Sequence, residues 1–298
     1  MTHTLKPSPF TTLISAESLV ALVAAGTPPI TIDVSFDLTD VTAGERAWRD
    51  AHLPGSLYLH LDRDLCGART GSDGQFLGRH PLPTRADFAL TLARRGITPT
   101  TQVVTLDRQG GMYAARLWWM LRWMGHKAVA VLDGGVAAWA ESGGALTSDV
   151  AVPAALAPSP SAPYPSTAGS MPTVNADELA AQLGRIGLID ARAGERFRGE
   201  VEPLDAAAGH IPGALNRFFK DNLDSDGRFK PAAQLRTDFD ALLGLQGASA
   251  VVHQCGSGVT ACHNLLAMEH AGLTGSALYP GSWSEWSSDP ARPVAIGG

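Results

Sequence analysis

The stretch VVHQCGSGVTAC, residues 251–262, sets Cys255 between a short β-branched run and a loop containing Gly256 and Gly258. Glycine accepts positive φ and lets the backbone approach closely, so the amides of Gly256, Ser257, Gly258, Val259 and Thr260 can turn toward the sulfur. A helix starting near Val259 would aim its positive end at the same point. An ordinary thiol is mostly protonated at neutral pH, and such a cradle favours the nucleophilic thiolate. A small buried cysteine at a strand end would be the bland alternative, but it has no need of two flanking glycines. Two rival chemistries fare worse. A phosphate loop of the Cys-x5-Arg kind needs a cation six positions on, where this chain has Ala261. Zinc would have to use His253, Cys255, Cys262 and His263, which lack CxxC spacing. Neither a metal nor a cofactor is expected.

The elements that must hold this loop occur twice. ITIDVS (30–35) is matched by GLIDAR (187–192), HLPGSL (52–57) by HIPGAL (210–215), VVTLD ending at Asp107 by VVHQC ending at Cys255, and LDGGVAAW ending at Trp139 by YPGSWSEW ending at Trp286. The pairs keep their order at offsets of 147 to 158 residues, which points to a duplicated domain. Residues 151–172, rich in Pro, Ala and Ser, have no hydrophobic period and read as a linker. The expected layout is a first domain over 8–148, a linker over 149–172 and a second domain over 173–298. Short apolar runs alternate with amphipathic segments such as SAESLVALVAAG and ADELAAQLG. Each half is therefore expected to be α/β, a mostly parallel sheet flanked by helices. Ligands in such sheets sit beyond the carboxyl ends of the strands, where Asp107 and Cys255 both fall. Trp118, Trp119 and Trp123 follow a helical pattern and read as packing between elements.

A net charge of -6 argues against a phosphate backbone as partner, so no nucleic acid is expected. No apolar run near the start is long enough to cross a bilayer or act as a leader, so the expectation is a cytoplasmic protein with no membrane contact. The cysteines number three, an odd count that suggests free thiols rather than a disulfide framework. Nothing calls for more than a monomer.

The double repeat, the HxPG turns and above all CGSGVT resemble the two-domain rhodanese-like sulfurtransferases over almost the whole chain, from 13 to 286. The loop is most similar to that of the mercaptopyruvate-using members. The resemblance implies a ping-pong reaction in which Cys255 takes a sulfur atom from a small donor, becomes a persulfide and passes the outer sulfur to cyanide or to a thiol, such as that of a thioredoxin-like protein. Asp107 at the matching position implies a first domain without a nucleophile of its own. Thiosulfate-using members carry cations at the two positions after the cysteine, where this chain has Gly256 and Ser257. A neutral loop suits a monoanionic keto acid better than a dianion. The resemblance further implies a proton relay of Ser257, His80 and Asp62, and a carboxylate anchor at Arg196 within GERFRGE. It also marks departures. A second arginine expected in an EPR motif is replaced by Leu204, with Arg198 or Arg217 as substitutes, and Pro280 stands where the first half has Asp133. A thiosulfate sulfurtransferase, or a non-catalytic module that carries persulfide or binds a partner, are the alternatives.

Overall fold

A computed structural model describes residues 8–150, 163–167, 169 and 171–298. Two wholly parallel sheets account for the strands among them. The first contains β1 (Leu13–Ile14), β2 (Ile30–Asp33), β3 (Leu57–Tyr58), β4 (Val103–Leu106) and β5 (Val129–Leu132), ordered β1-β5-β4-β2-β3. The second contains β6 (Gly187–Asp190), β7 (Ala214–Asn216), β8 (Val251–Gln254) and β9 (Ala277–Leu278), ordered β7-β6-β8-β9.

The repeat read from the sequence is visible in this topology. Strands β2, β3, β4 and β5 have counterparts in β6, β7, β8 and β9, in the same spatial order. Strand β1 is echoed only by an isolated parallel bridge, Thr173 to Leu278. The HxPG turns serve one purpose in both halves: His52 Nδ1 lies 2.7 Å from the Trp48 carbonyl and His210 Nδ1 2.8 Å from that of Phe197. Each imidazole also stacks on the aromatic ring of that same residue. These histidines hold backbone geometry.

Local signals start the helices where expected. Ser15 caps Ala16–Ala24 by accepting from the Ser18 amide, and Asn175 forms a reciprocal capping box with Glu178 ahead of Ala176–Ala180. The tryptophan-rich helix Ala114–Trp123 packs against Ala261–His270 of the other half. Trp118 and Trp119 are fully buried in a core to which both halves contribute. The two domains are thus joined face to face by apolar surface.

The segment read as a linker lies partly outside the described residues, at 151–162, 168 and 170. Its later part is not a solvated spacer. Tyr164 and Met171 are buried, and the Tyr164 hydroxyl meets His126 Nδ1 at 3.0 Å. Composition alone suggested otherwise because two apolar anchors are diluted among many Pro, Ala and Ser residues. Among the described residues no helix is long and apolar enough to cross a membrane.

Candidate active site

Cys255 follows β8 directly and is buried. Its amide donates to Ser282 Oγ at 3.1 Å and its carbonyl accepts from the Trp283 amide at 2.9 Å. Ser282 has φ 54°, the one non-glycine residue with positive φ among those described. Such a conformation persists only where the surroundings impose it, and here it aims the hydroxyl at the start of the cysteine loop. The Gly256 carbonyl accepts from the Ser284 amide at 2.9 Å. The helix begins at Ala261 with Thr260 as its cap, two residues later than the sequence suggested, so all of CGSGVT is loop.

The first half contains the same device with a different anion in it. Asp107 occupies the cysteine position, and its carboxylate accepts from the amides of Gln109, Gly111, Tyr113 and Ala114 at 2.8 to 2.9 Å. Burial pushes this carboxyl upward and the four amides oppose that shift. In the second half, the amides of residues 256–260 form no hydrogen bond with another described residue. In the first half, then, the residues after the strand gather four amides around a buried carboxyl group.

Three of the anticipated residues come together across the seam. Ser257 Oγ lies 2.8 Å from His80 Nδ1, and His80 Nε2 lies 3.4 Å from Asp62 Oδ1. Burial, followed by the charges of Arg116, Arg79 and Arg69, pushes His80 down to about 3. The ring is therefore neutral at physiological pH. With its proton on Nε2, facing the carboxylate, Nδ1 is left to accept from the serine hydroxyl.

Beneath the loop, Arg116 is fully buried and ties the halves together, donating to the Gly258 carbonyl at 2.9 Å and to that of His80 at 3.1 Å. Three of the four side chains considered for zinc face separate partners. Cys262 Sγ donates to the Gly258 carbonyl, His253 Nε2 contacts Met268 Sδ, and His263 stacks on Phe229 while reaching the Gly110 carbonyl. Burial pushes Cys66 and Cys262 up to about 12, so both stay protonated.

The pocket over Cys255 is lined by the loop, by the apolar side chains of Leu38, Met112, Phe218 and Phe219, and by the guanidinium-bearing residues Arg79, Arg192 and Arg196. Arg196, expected from the family resemblance as a carboxylate anchor, is among the residues that line this pocket. Arg192 pairs with Asp190 at 2.7 Å and with Glu202 at 3.3 Å. The suggested replacements for the arginine missing at Leu204 do not serve. Arg198 pairs with Glu200 in solvent, and Arg217 is engaged with Asn222 and Asp238, so neither lines the pocket. Leu204 itself is exposed. The pocket's cation from the first half is Arg79, which sequence reasoning missed although it adjoins His80. A Cβ placed on Gly256 would lie 2.9 Å from Arg79 Nη2 and 3.6 Å from Arg196 Nη1. Glycine there makes room for both guanidiniums. Asp205 bridges them, one oxygen on Arg79 and the other 3.1 Å from Arg196 Nη2. Burial raises this carboxyl, opposed by the charges of Arg79, Arg196 and Arg192.

The buried imidazoles have a consequence for stability. His80, His253 and His263 are held at about 3, 3 and 4, with burial the first cause in each case. An unfolded chain takes up these protons near pH 6.5, whereas the folded chain resists until much lower pH. Stability present above pH 6.5 is then lost as pH falls toward 4, by roughly 1.4 kcal/mol per pH unit for each group. Urea midpoints measured from pH 7 to pH 4.5 are expected to fall steadily. A flat profile would mean that these rings are accessible to protons in the native state.

With this geometry in place, comparison with known proteins is informative. The family model described as "Rhodanese-like domain" matches residues 15–142 and again 175–289. A probable 3-mercaptopyruvate sulfurtransferase of Pseudomonas aeruginosa is 46% identical over 289 residues, covering 96% of this chain and 98% of that one. A putative thiosulfate sulfurtransferase of Mycobacterium tuberculosis is 39% identical over 288 residues, covering 96% and 97%. The solved 3-mercaptopyruvate sulfurtransferase of Leishmania major superposes with a TM-score of 0.81 at 27% identity, covering 95% of this chain and 76% of that one. The duplicated sheet, the single cysteine loop and these matches agree: the chain belongs to the rhodanese-like family, as a two-domain sulfurtransferase.

Proposed function

We propose that the chain moves sulfur from 3-mercaptopyruvate to a thiol through a persulfide on Cys255. The observation that carries this reading is the line from Ser257 through His80 to Asp62, of which Ser257 and His80 line the same pocket as Cys255, together with the uncharged Gly256 and Ser257 at the two positions after the cysteine. The Cys255 thiolate attacks the donor sulfur. The carbon–sulfur bond breaks, its electron pair passes to the enolate of pyruvate, and Cys255 keeps the transferred sulfur as a persulfide. The donor thiol loses a proton in this step and the enolate carbon gains one, so the net proton movement is from sulfur to carbon. Neutral His80 is suited to that traffic, since it accepts through Nδ1 from the Ser257 hydroxyl while Asp62 orients the ring. An acceptor thiolate then attacks the outer sulfur and releases Cys255 as thiolate. A small protein dithiol or free cyanide would serve as acceptor.

Arg79 and Arg196 are the groups available to the donor's carboxylate and ketone. A hydrogen bond to a charged partner contributes about 1.5–3 kcal/mol. Arg196→Ala or Arg79→Ala is therefore expected to raise KM for mercaptopyruvate by about tenfold or more, with a smaller change in kcat. An unchanged KM in both variants would remove these residues from donor binding. The two guanidiniums also favour a second reading, in which thiosulfate is the donor. Pyruvate release from mercaptopyruvate and sulfite release from thiosulfate, measured with one acceptor, separate the readings. Faster pyruvate release supports the first, and faster sulfite release replaces it with the second.

A further inference from the structure

The cations of the pocket are closely matched by carboxylates. Arg79, Arg192 and Arg196 face Asp190, Glu202 and Asp205, three charges of each sign. Asp190 pairs with Arg192, which is 3% exposed, and Glu202 bridges Arg192 at 3.3 Å and Arg196 at 2.6 Å, both arginines of the second half. Asp205 differs, because it alone touches both guanidiniums that flank Gly256, one from each half of the molecule. Its side chain is 2% exposed and does not line the pocket, so it stands behind the arginines and not in the donor's way.

We propose that Asp205 is a specificity-determining residue: as the shared counter-ion of Arg79 and Arg196 it limits the positive field at the pocket floor, so that a monoanionic donor is accepted and a dianionic one is disfavoured. This rests on the donor reading above and extends it. The interaction of a bound anion with a fixed field scales with the anion's charge. Removing one negative charge behind the arginines therefore favours a dianion about twice as strongly as a monoanion. The same residue explains how two arginines can lie beside the loop without making it a thiosulfate site.

The test uses the full chain, cyanide as the common acceptor, and both donors. Asp205→Asn is close to isosteric, and Asp205→Ser removes the carboxylate from Arg79 altogether while Arg196 keeps its pairing with Glu202. Each is expected to raise kcat/KM for thiosulfate by about tenfold, mostly through KM, while kcat/KM for mercaptopyruvate changes no more than threefold. Asp205→Glu is expected to restore the wild-type ratio between donors. A parallel fall for both donors would show that Asp205 only holds the arginines in place, and would overturn the proposal, as would an unchanged ratio. Calorimetric binding of sulfate and of pyruvate to the same proteins provides a readout that needs no turnover. Asp205→Asn should tighten sulfate about threefold relative to pyruvate, and equal shifts would overturn the proposal. Should the wild type consume neither donor, the donor reading fails in the kinetic assay, while the sulfate measurement still decides the role of Asp205.

Discussion

Cys255→Ser is expected to abolish sulfur transfer from either donor, lowering turnover by about three orders of magnitude or more. A serine hydroxyl in the same loop is not ionised at neutral pH and forms no persulfide. The other thiols offer no substitute. Cys66 and Cys262 are pushed up to about 12 by burial, and Cys262 is fully enclosed with its Sγ turned to the Gly258 carbonyl. Mass spectrometry after exposure to donor should find one added sulfur atom on the peptide containing Cys255, and none in the serine variant. Cys66→Ala and Cys262→Ala should retain the adduct. An adduct that persists in Cys255→Ser would move the chemistry to another thiol and sink the mechanism.

Gly258→Ala is expected to produce the next largest loss, about a hundredfold in kcat/KM, because displacing a reacting group by about 1 Å carries a penalty of that order. Gly258 has φ +74°, and a Cβ there would lie 2.3 Å from the Pro280 carbonyl oxygen. The left-handed conformation alone costs alanine about 1–2 kcal/mol. The loop cannot relax by rotating its peptide, since the Gly258 carbonyl is held by Arg116 and Cys262. Gly256→Ala provides the comparison. Its Cβ would meet the far end of the Arg79 side chain, which can move aside. A smaller loss, felt mainly in donor KM, is expected there. If the two alanine variants prove equally active, the loop is more compliant than this geometry allows.

Most of the architecture was legible because it is periodic and repeated. Four matched segment pairs marked Cys255 as following a strand, and the mate of that position, Asp107, is ringed by four backbone amides. Ser257, His80 and Asp62 were legible through family resemblance, and their separation of 177 residues between His80 and Ser257 closes to 2.8 Å only because the halves dock. Arg79 was not legible for the same reason. Its direction depends on the segment around Gly78 pressing against Gly281 and on its own amide binding Ser284 Oγ, contacts made across the seam. Arg198 looked available in the sequence, yet Glu200 two positions on captures it in solvent. The packed Tyr164 escaped notice because its partner His126 lies 38 residues away.

The seam between the halves also governs which molecules could exchange parts. A chimera taking residues before the linker from one relative and those after it from another would need to agree at Ser257 with His80, at Arg116 with the Gly258 carbonyl, at Arg79 with Asp205, and at Gly78 with Gly281. Each contact draws one member from either side, so neither half can change its share without the other following. Duplication supplied two copies of a sheet, and the joint between them has since made the pair a single inheritable unit.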